Sequence, residues 1–487
     1  MARWHMRAAL AIVSCTVTLN TGTLGYLAPG QSSSMSTTPR ARRGVRALKA
    51  ATLPKVAEGD AKAESSPLRS VDVYATLPTM DLRLSDVTAG RPANSEAHTI
   101  DLARGPPIAD PFALCRDELT PFSDNVKALV ETENPVLSQA ATMFFEQRHG
   151  KRFRPTIVAL MAKALPVVHA RDDAETCKAK QDRLGQITEM IHVASLIHDD
   201  VLDDADTRRG GDAIHKMYSN KVAVLSGDYL LARASVLLAR LQHKQVVEVM
   251  AKALDSLVSG EIMQIKSNGA ADKKAAADGD ESRDAPAAAP EAKPSFFERA
   301  LAALKLGKDG KQKKSEIAAR DAKEMELYLR KSYYKTASLI CDASKSCALL
   351  AGHDFDSATA RAAEEYGYHL GLAFQIVDDV LDFVVDSDDL GKPAGADLSL
   401  GLATAPILYA AQDLPELRPL IDRRFKGDGD VTRAYETVRA SRGLELSRKL
   451  AHFHAQRAVD AICRVAPDSE ARDALISVCY IVLSRNK

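Results

Sequence analysis

The chain has 487 residues, 46% of them apolar and 27% charged, so it can bury a sizeable core as an ordinary globular protein does. Lys+Arg and Asp+Glu each total 65, which leaves no basic surplus to draw nucleic acid or an anionic membrane. Seven cysteines (15, 115, 177, 341, 347, 463 and 479) are scattered and never spaced as CxxC, which argues against a disulfide framework and against a zinc site.

Residues 1–57 contain no Asp or Glu and hold eight Lys or Arg, with the apolar run "AALAIVSCTVTL" (8–19) placed ahead of "PRARRGVRALK" (39–49). A short apolar core with basic flanks is a signal-peptide pattern, and the acid-free basic stretch after it is a transit-peptide pattern. In tandem they resemble the bipartite leaders of complex plastids, so a plastid is expected, with a single mitochondrial presequence as the alternative. Residues 58–109, with Pro and Ser and no sustained period, read as a disordered linker.

From Asp110 onward the pattern is helical. Sparse aromatics (5%) and abundant Leu and Ala favour helices over strands. Ile187, Met190, Ile191, Ala194, Ile197 and Val201 keep a 3.6-residue period, as do Leu370, Ala373, Phe374, Val377, Leu381 and Val384. The expected fold is all-α: a single bundle of about ten helices around a central cavity over 110–487. Segment 268–320, biased to Ala, Lys, Asp and Pro, reads as a low-complexity, disordered insertion. No apolar run reaches the roughly 18 residues a membrane span needs.

"HDDVLDDADTRRG" (198–210) crowds five aspartates into eight positions. Like charges three or four apart on a helix repel one another, so the segment is either a solvated acidic patch or a cage for cations. The run "DDVLD" then recurs at 378–382. Asp199 and Asp203 are i and i+4, as are Asp378 and Asp382, so each pair projects from one helical face. Carboxylates on two helices suit Mg²⁺, which completes its shell with water and phosphate oxygens. Arg and Lys donors to a diphosphate are at hand in Arg208, Arg209, Lys151, Arg154, Lys335 and Lys392.

"GKRFRP", "EMIHVASLIHDDVLDDADTRRG", "VLSGDYLL", "YYKTASLI", "GLAFQIVDDVLDF" and "GKPAGADL" occur in the order seen in trans-isoprenyl diphosphate synthases. The resemblance spans 110–487 apart from the insertion, and is strongest to long-chain solanesyl- and decaprenyl-type synthases of plastids and mitochondria. It implies that Asp199, Asp203 and Asp378 ligate Mg²⁺, three ions per active site with Mn²⁺ as a substitute, and that Asp200, Asp379 and Asp382 support them. It further implies that Lys151, Arg154, His192 and Arg209 hold isopentenyl diphosphate, and that Arg208, Lys335, Thr336, Gln375 and Lys392 surround the allylic diphosphate. Ala194 and Ser195, five and four residues before Asp199, stand where short-chain members carry an aromatic ring, and imply a product of about C40–C50 for a quinone side chain. A homodimer is expected, with no nucleic acid, no membrane span, and peripheral membrane contact for product release. Two departures from the family pattern stand out: His149 stands where a glycine often precedes the Lys, and Leu400 and Leu402 replace the Glu and Lys of DLxEGK, the second removing a phosphate-binding cation and so touching substrate affinity. The alternatives are a shorter-chain farnesyl- or geranylgeranyl-type synthase and a non-catalytic regulatory subunit. A regulatory subunit typically loses aspartates from one motif, and this chain keeps both.

Overall fold

The computed structural model describes residues 98–120, 122–146, 152–168, 172–208, 211–278, 316–384 and 395–485. The leader, residues 58–97, His149, Lys151, Arg209 and Lys392 lie outside them. The longer helices are α1 (Phe122–Val130), α2 (Pro135–Glu146), α3 (Phe153–Ala164), α4 (Ala174–Leu202), α5 (Asn220–Arg240) and α6 (Lys244–Asp278). Helix α7 runs from 316 to 350, and α8 follows at Ala358–Val384. The chain closes with α9 (Ala405–Asp413), α10 (Asp430–Ala440), α11 (Gly443–Cys463) and α12 (Glu470–Leu483). Among the described residues the extended pairing is one antiparallel ribbon, Thr207–Arg208 with Gly211–Asp212. The fold is all-α.

The apolar periods bury for most of their length, with Val201 and Phe374 half-buried and Val384, at the helix end, exposed. Ile187, Met190, Ile191, Ala194 and Ile197 of α4 are buried, as are Leu370, Ala373, Val377 and Leu381 of α8. Helix α4 packs on α5 and α3, and α8 packs on α7 and α11. Two glycines one turn apart set the α7–α8 approach. A Cβ on Gly371 would lie 2.5 Å from Ala337 Cα, and one on Gly367 would lie 2.6 Å from Cys341 Cα. Only residues without side chains there let the two backbones come so close, which brings Gln375 and the second acidic run to Thr336. His369 and His454 tie α8 to α11 through an Nδ1···Nδ1 hydrogen bond of 2.9 Å; burial keeps both neutral, holding His454 down at about 3.

Two boundaries differ from the expectation. Residues 98–109 are not wholly linker: Ile100 is buried, its N–H donates to Gln456 Oε1 (2.8 Å), Asp101 N–H donates to Tyr480 Oη (2.9 Å), and Ile108 N–H donates to Ser477 Oγ (2.8 Å). An extended segment satisfied by side chains more than 350 residues away has no local period to betray it. The insertion is also shorter than 268–320, because α6 continues to Asp278 and α7 begins at 316. The stretch "AADKKAAAD" is rich in strong helix formers and free of Pro, so it prolongs α6.

Helix α5 is long and apolar enough to cross a membrane by length and composition. It carries Arg233, whose Nε donates to Leu129 O (2.7 Å), and it lies along α4 as a bundle helix. Its outer face nonetheless exposes Leu225 and Val236, eleven residues and so three turns apart. On α6, Val258, Ile262 and Ile265 form a second exposed apolar stripe at i, i+4 and i+7.

Candidate active site

Both acidic runs lie in the last two turns of a helix, towards the negative end of the macrodipole, and neither last turn holds a basic residue. The first run closes α4 with Asp203 as its C-cap, the Asp203 N–H donating to Asp199 O (2.8 Å). The chain then turns through the short ribbon, which returns Arg208 towards the helix end. Arg208 Nε and Nη2 both donate to Oδ1 of buried Asp200, at 2.7 and 2.5 Å. Asp203 is exposed and Asp199 half-buried, while Asp200 is closed off by Arg208.

The second run divides in the same way. Asp379 is buried with both oxygens engaged: Tyr328 Oη donates to Oδ2 (2.6 Å) and Gln375 Nε2 donates to Oδ1 (2.8 Å). Thr336 Oγ1 donates to Gln375 Oε1 (2.6 Å), so the Thr336–Gln375–Asp379–Tyr328 chain locks α7 to α8. Asp382 is buried and its Oδ2 accepts from Asp397 N–H (3.2 Å). Asp378 is half-buried, with Arg485 Nη1 donating to its Oδ1 at 2.5 Å. The Arg485 guanidinium also lies 4.4 Å from the Phe374 ring centroid, and Phe374 meets Phe153 at 5.0 Å. That contact places the start of α3, which bears Arg154, beside α8.

Between the two runs lies α7. Tyr333–Ala337 forms one π-helical turn, a local widening of the kind that frequently marks functional sites. Lys335 lies in it, paired with Glu261 and donating to Gln264 Oε1 (3.0 Å). Gly260 is the gap that admits it, since a Cβ there would lie 2.8 Å from Lys335 Cγ.

The two sites carry more negative charge than their basic neighbours balance. Burial, the Glu261 carboxylate and Asp203 push Asp199 up to about 7, against the pull of Lys335 and Arg208. Burial and the Asp397 carboxylate push Asp379 up to about 8. An all-oxygen donor set with surplus negative charge near two helix C-termini fits hard divalent cations; Asp199 is half-buried, Asp203 is exposed, and Asp378 is engaged by Arg485. His192 and Ser195 share the Asp199 face of α4, seven and four residues before it, and Ser195 Oγ donates to His192 O (2.8 Å). Ala194 instead turns into the core, fully buried. Sequence reasoning did not single out Tyr328, Glu261, Gln264 or Arg485, which the structure brings against the predicted residues. Asp397 was visible only as part of "GKPAGADL".

The family model described as Polyprenyl synthetase matches residues 134–281 and 297–438. The chain is 40% identical over 401 residues to "Solanesyl-diphosphate synthase 1, mitochondrial" of Oryza sativa subsp. japonica, covering 79% of this chain and 81% of that protein. It is 39% identical over 432 residues to "Probable hexaprenyl pyrophosphate synthase, mitochondrial" of Neurospora crassa, covering 81% of this chain and 86% of that one. Among solved structures, the apo form of an Arabidopsis medium/long-chain length prenyl pyrophosphate synthase is 35% identical, with a TM-score of 0.54 over 78% of this chain and all of that one. A polyprenyl synthase from Caulobacter crescentus, complexed with calcium and isoprenyl diphosphate, is 26% identical with a TM-score of 0.58, over 80% of this chain and 99% of that one.

Proposed function

Because this chain belongs to the polyprenyl synthetase family, we propose that it is a long-chain trans-polyprenyl diphosphate synthase that condenses isopentenyl diphosphate head-to-tail onto an allylic diphosphate. The observation that carries the reading is the pair of aspartate runs at the negative ends of α4 and α8, flanking the basic π-turn of α7. Mg²⁺ held by Asp199, Asp203 and Asp378 would supply charge that stabilises the diphosphate as it departs. The crystallised relative that holds calcium and isoprenyl diphosphate supports a divalent ion at such a site.

The chain's own residues do the rest. Arg208 and Lys335 donate to diphosphate oxygens as the allylic C–O bond breaks and its electron pair leaves with the diphosphate. The Thr336 hydroxyl oxygen and the Gln375 amide, fixed by their mutual hydrogen bond, set oxygen dipoles near the carbon that becomes positive. Lys151, Arg154, His192 and Arg209 hold isopentenyl diphosphate; Lys392 joins the allylic group. The isopentenyl double bond gives its pair to the new C–C bond, and the adjacent carbon loses a proton to the departed diphosphate. Water must be kept from the cation, which the apolar faces of α4 and α8 achieve. No protein nucleophile is needed.

The exposed stripes on α5 and α6, uncovered by any described residue, are the surface on which a second copy of this chain would dock to make a homodimer. A peripheral membrane contact would serve release of the apolar product. The acid-free leader directs the chain to an organelle. We favour the plastid from the order of apolar core and basic stretch, while the relatives are named as mitochondrial or chloroplastic/mitochondrial proteins. A fusion of residues 1–57 to a fluorescent protein separates the two.

The function is tested by diphosphate release. Purified enzyme with both substrates and Mg²⁺ should liberate inorganic diphosphate in step with isopentenyl diphosphate consumed, and EDTA should stop it. Undiminished release in EDTA, or none with Mg²⁺ present, contradicts the reading.

A further inference from the structure

One residue of α7 between the two aspartate runs has no role in the account above. Tyr328 donates to Asp379 (2.6 Å), and seven residues on, Lys335 donates to Gln264 (3.0 Å) and pairs with Glu261. Lys331 stands three residues after the first and four before the second, so all three share one helical face. The Asp379, Asp397 and Glu261 carboxylates and the Lys335 ammonium all act on its charge. Burial lowers its pKa from the usual lysine range, against the pull of Asp379 and Asp397.

The other described cations here are engaged. Arg208 holds Asp200, Lys335 holds Glu261, and Arg485 holds Asp378. Each must give up a partner before it can reach a phosphate oxygen. Among the described residues Lys331 donates no hydrogen bond and forms no ion pair, although it is only half-buried and the Asp379 and Asp397 charges reach it. A lysine kept merely to neutralise Asp379 or Asp397 would be expected in direct contact with one of them.

We infer that Lys331 is a further diphosphate-binding residue, whose ammonium serves the space between the two aspartate runs and acquires its hydrogen bonds from the substrate's phosphate oxygens. It can do so without breaking a pair first, which Arg208, Lys335 and Arg485 cannot. The inference rests on the reading that this site takes a diphosphate.

Inorganic diphosphate is the probe, titrated calorimetrically into full-length protein with Mn²⁺ present. Mn²⁺ binding without diphosphate is followed separately by electron paramagnetic resonance. Lys331→Gln should raise the diphosphate Kd about tenfold, the scale of one charge-assisted contact, and Lys331→Arg should stay within about threefold. Mn²⁺ alone should bind the Gln variant no more weakly than wild type, because a positive charge near the carboxylates has gone. A diphosphate Kd within about twofold of wild type overturns the inference. So does a joint loss of Mn²⁺ and diphosphate affinity, which marks a structural role. Lys331→Met keeps an apolar stem where Gln is poorly tolerated; if neither folds, by circular dichroism, the lysine is a core counter-charge and the inference fails. Failure of wild type itself to bind diphosphate with Mn²⁺ would instead strike the proposed function.

Discussion

Replacing Asp199 with Asn should make the metal-free protein more stable while removing its response to Mg²⁺. Burial and Glu261 raise the folded carboxyl to about 7 from an ordinary 3.8. Between those values the folded protein holds a proton that the unfolded chain has released, so stability falls as pH rises through this window. Above pH 7 the loss is complete and amounts to about 4 kcal/mol at this one group. The Asn side chain has the same shape and no charge, so the variant escapes that cost. At about 2.1 cal/mol/K per residue for a chain of this size, the gain is a rise in Tm of roughly 4 °C at pH 8. At pH 5, where wild-type Asp199 is itself largely protonated, the gap should shrink towards a third of that. Asp379 is raised in both proteins and cancels from the difference. Thermal melts in EDTA at the two pH values, repeated with Mg²⁺, measure all of this. A variant no more stable than wild type at pH 8 in EDTA, or one that Mg²⁺ stabilises as much as wild type, would refute the reasoning.

Asp378→Ala should lower kcat by at least roughly 10²-fold, the scale for deleting one preorganised electrostatic contact, in a steady-state assay at saturating substrates. Ser195→Phe should shift products towards about C15–C20, because Ser195 lies on the Asp199 face of α4; Ala194→Phe should add a folding cost of about 1–3 kcal/mol, since Ala194 is fully buried. Gly371→Ala places a methyl 2.5 Å from the Ala337 backbone and should lower Tm by several degrees in a thermal melt, with kcat falling as Gln375 is displaced from Thr336. Deleting 282–296, the stretch the family model skips, should leave kcat within a few-fold because both aspartate runs lie far outside it.

Local patterns in the chain carry much of this architecture. The 3.6-residue periods of α4 and α8 are legible because each helix buries a continuous stripe, and the i, i+4 aspartates are legible because spacing alone puts them on one face. What brings both runs against α7 is not local. The Gly367–Gly371 notch reads in sequence as two weak helix residues, and only the partner backbone at Ala337 and Cys341 shows its use. Arg485 reaches Asp378 across 107 residues, and Tyr328 reaches Asp379 across 51, so neither pairing leaves a spacing signature. The offset of four between Lys331 and Lys335 is available in the sequence, whereas the influence of Asp397 on Lys331 leaves no spacing signature. The docked segment at 98–109 escaped because its hydrogen bonds go to side chains of α11 and α12.

Product length tests the central claim most directly. Full-length enzyme, labelled isopentenyl diphosphate, an allylic primer and Mg²⁺ are incubated, and the dephosphorylated products are separated by reversed-phase chromatography. The account predicts all-trans products of about C40–C50, vanishing in the Asp199→Asn and Asp378→Ala variants. Products that stop at about C15–C20 in wild type, or a full-length product from either variant, would contradict it.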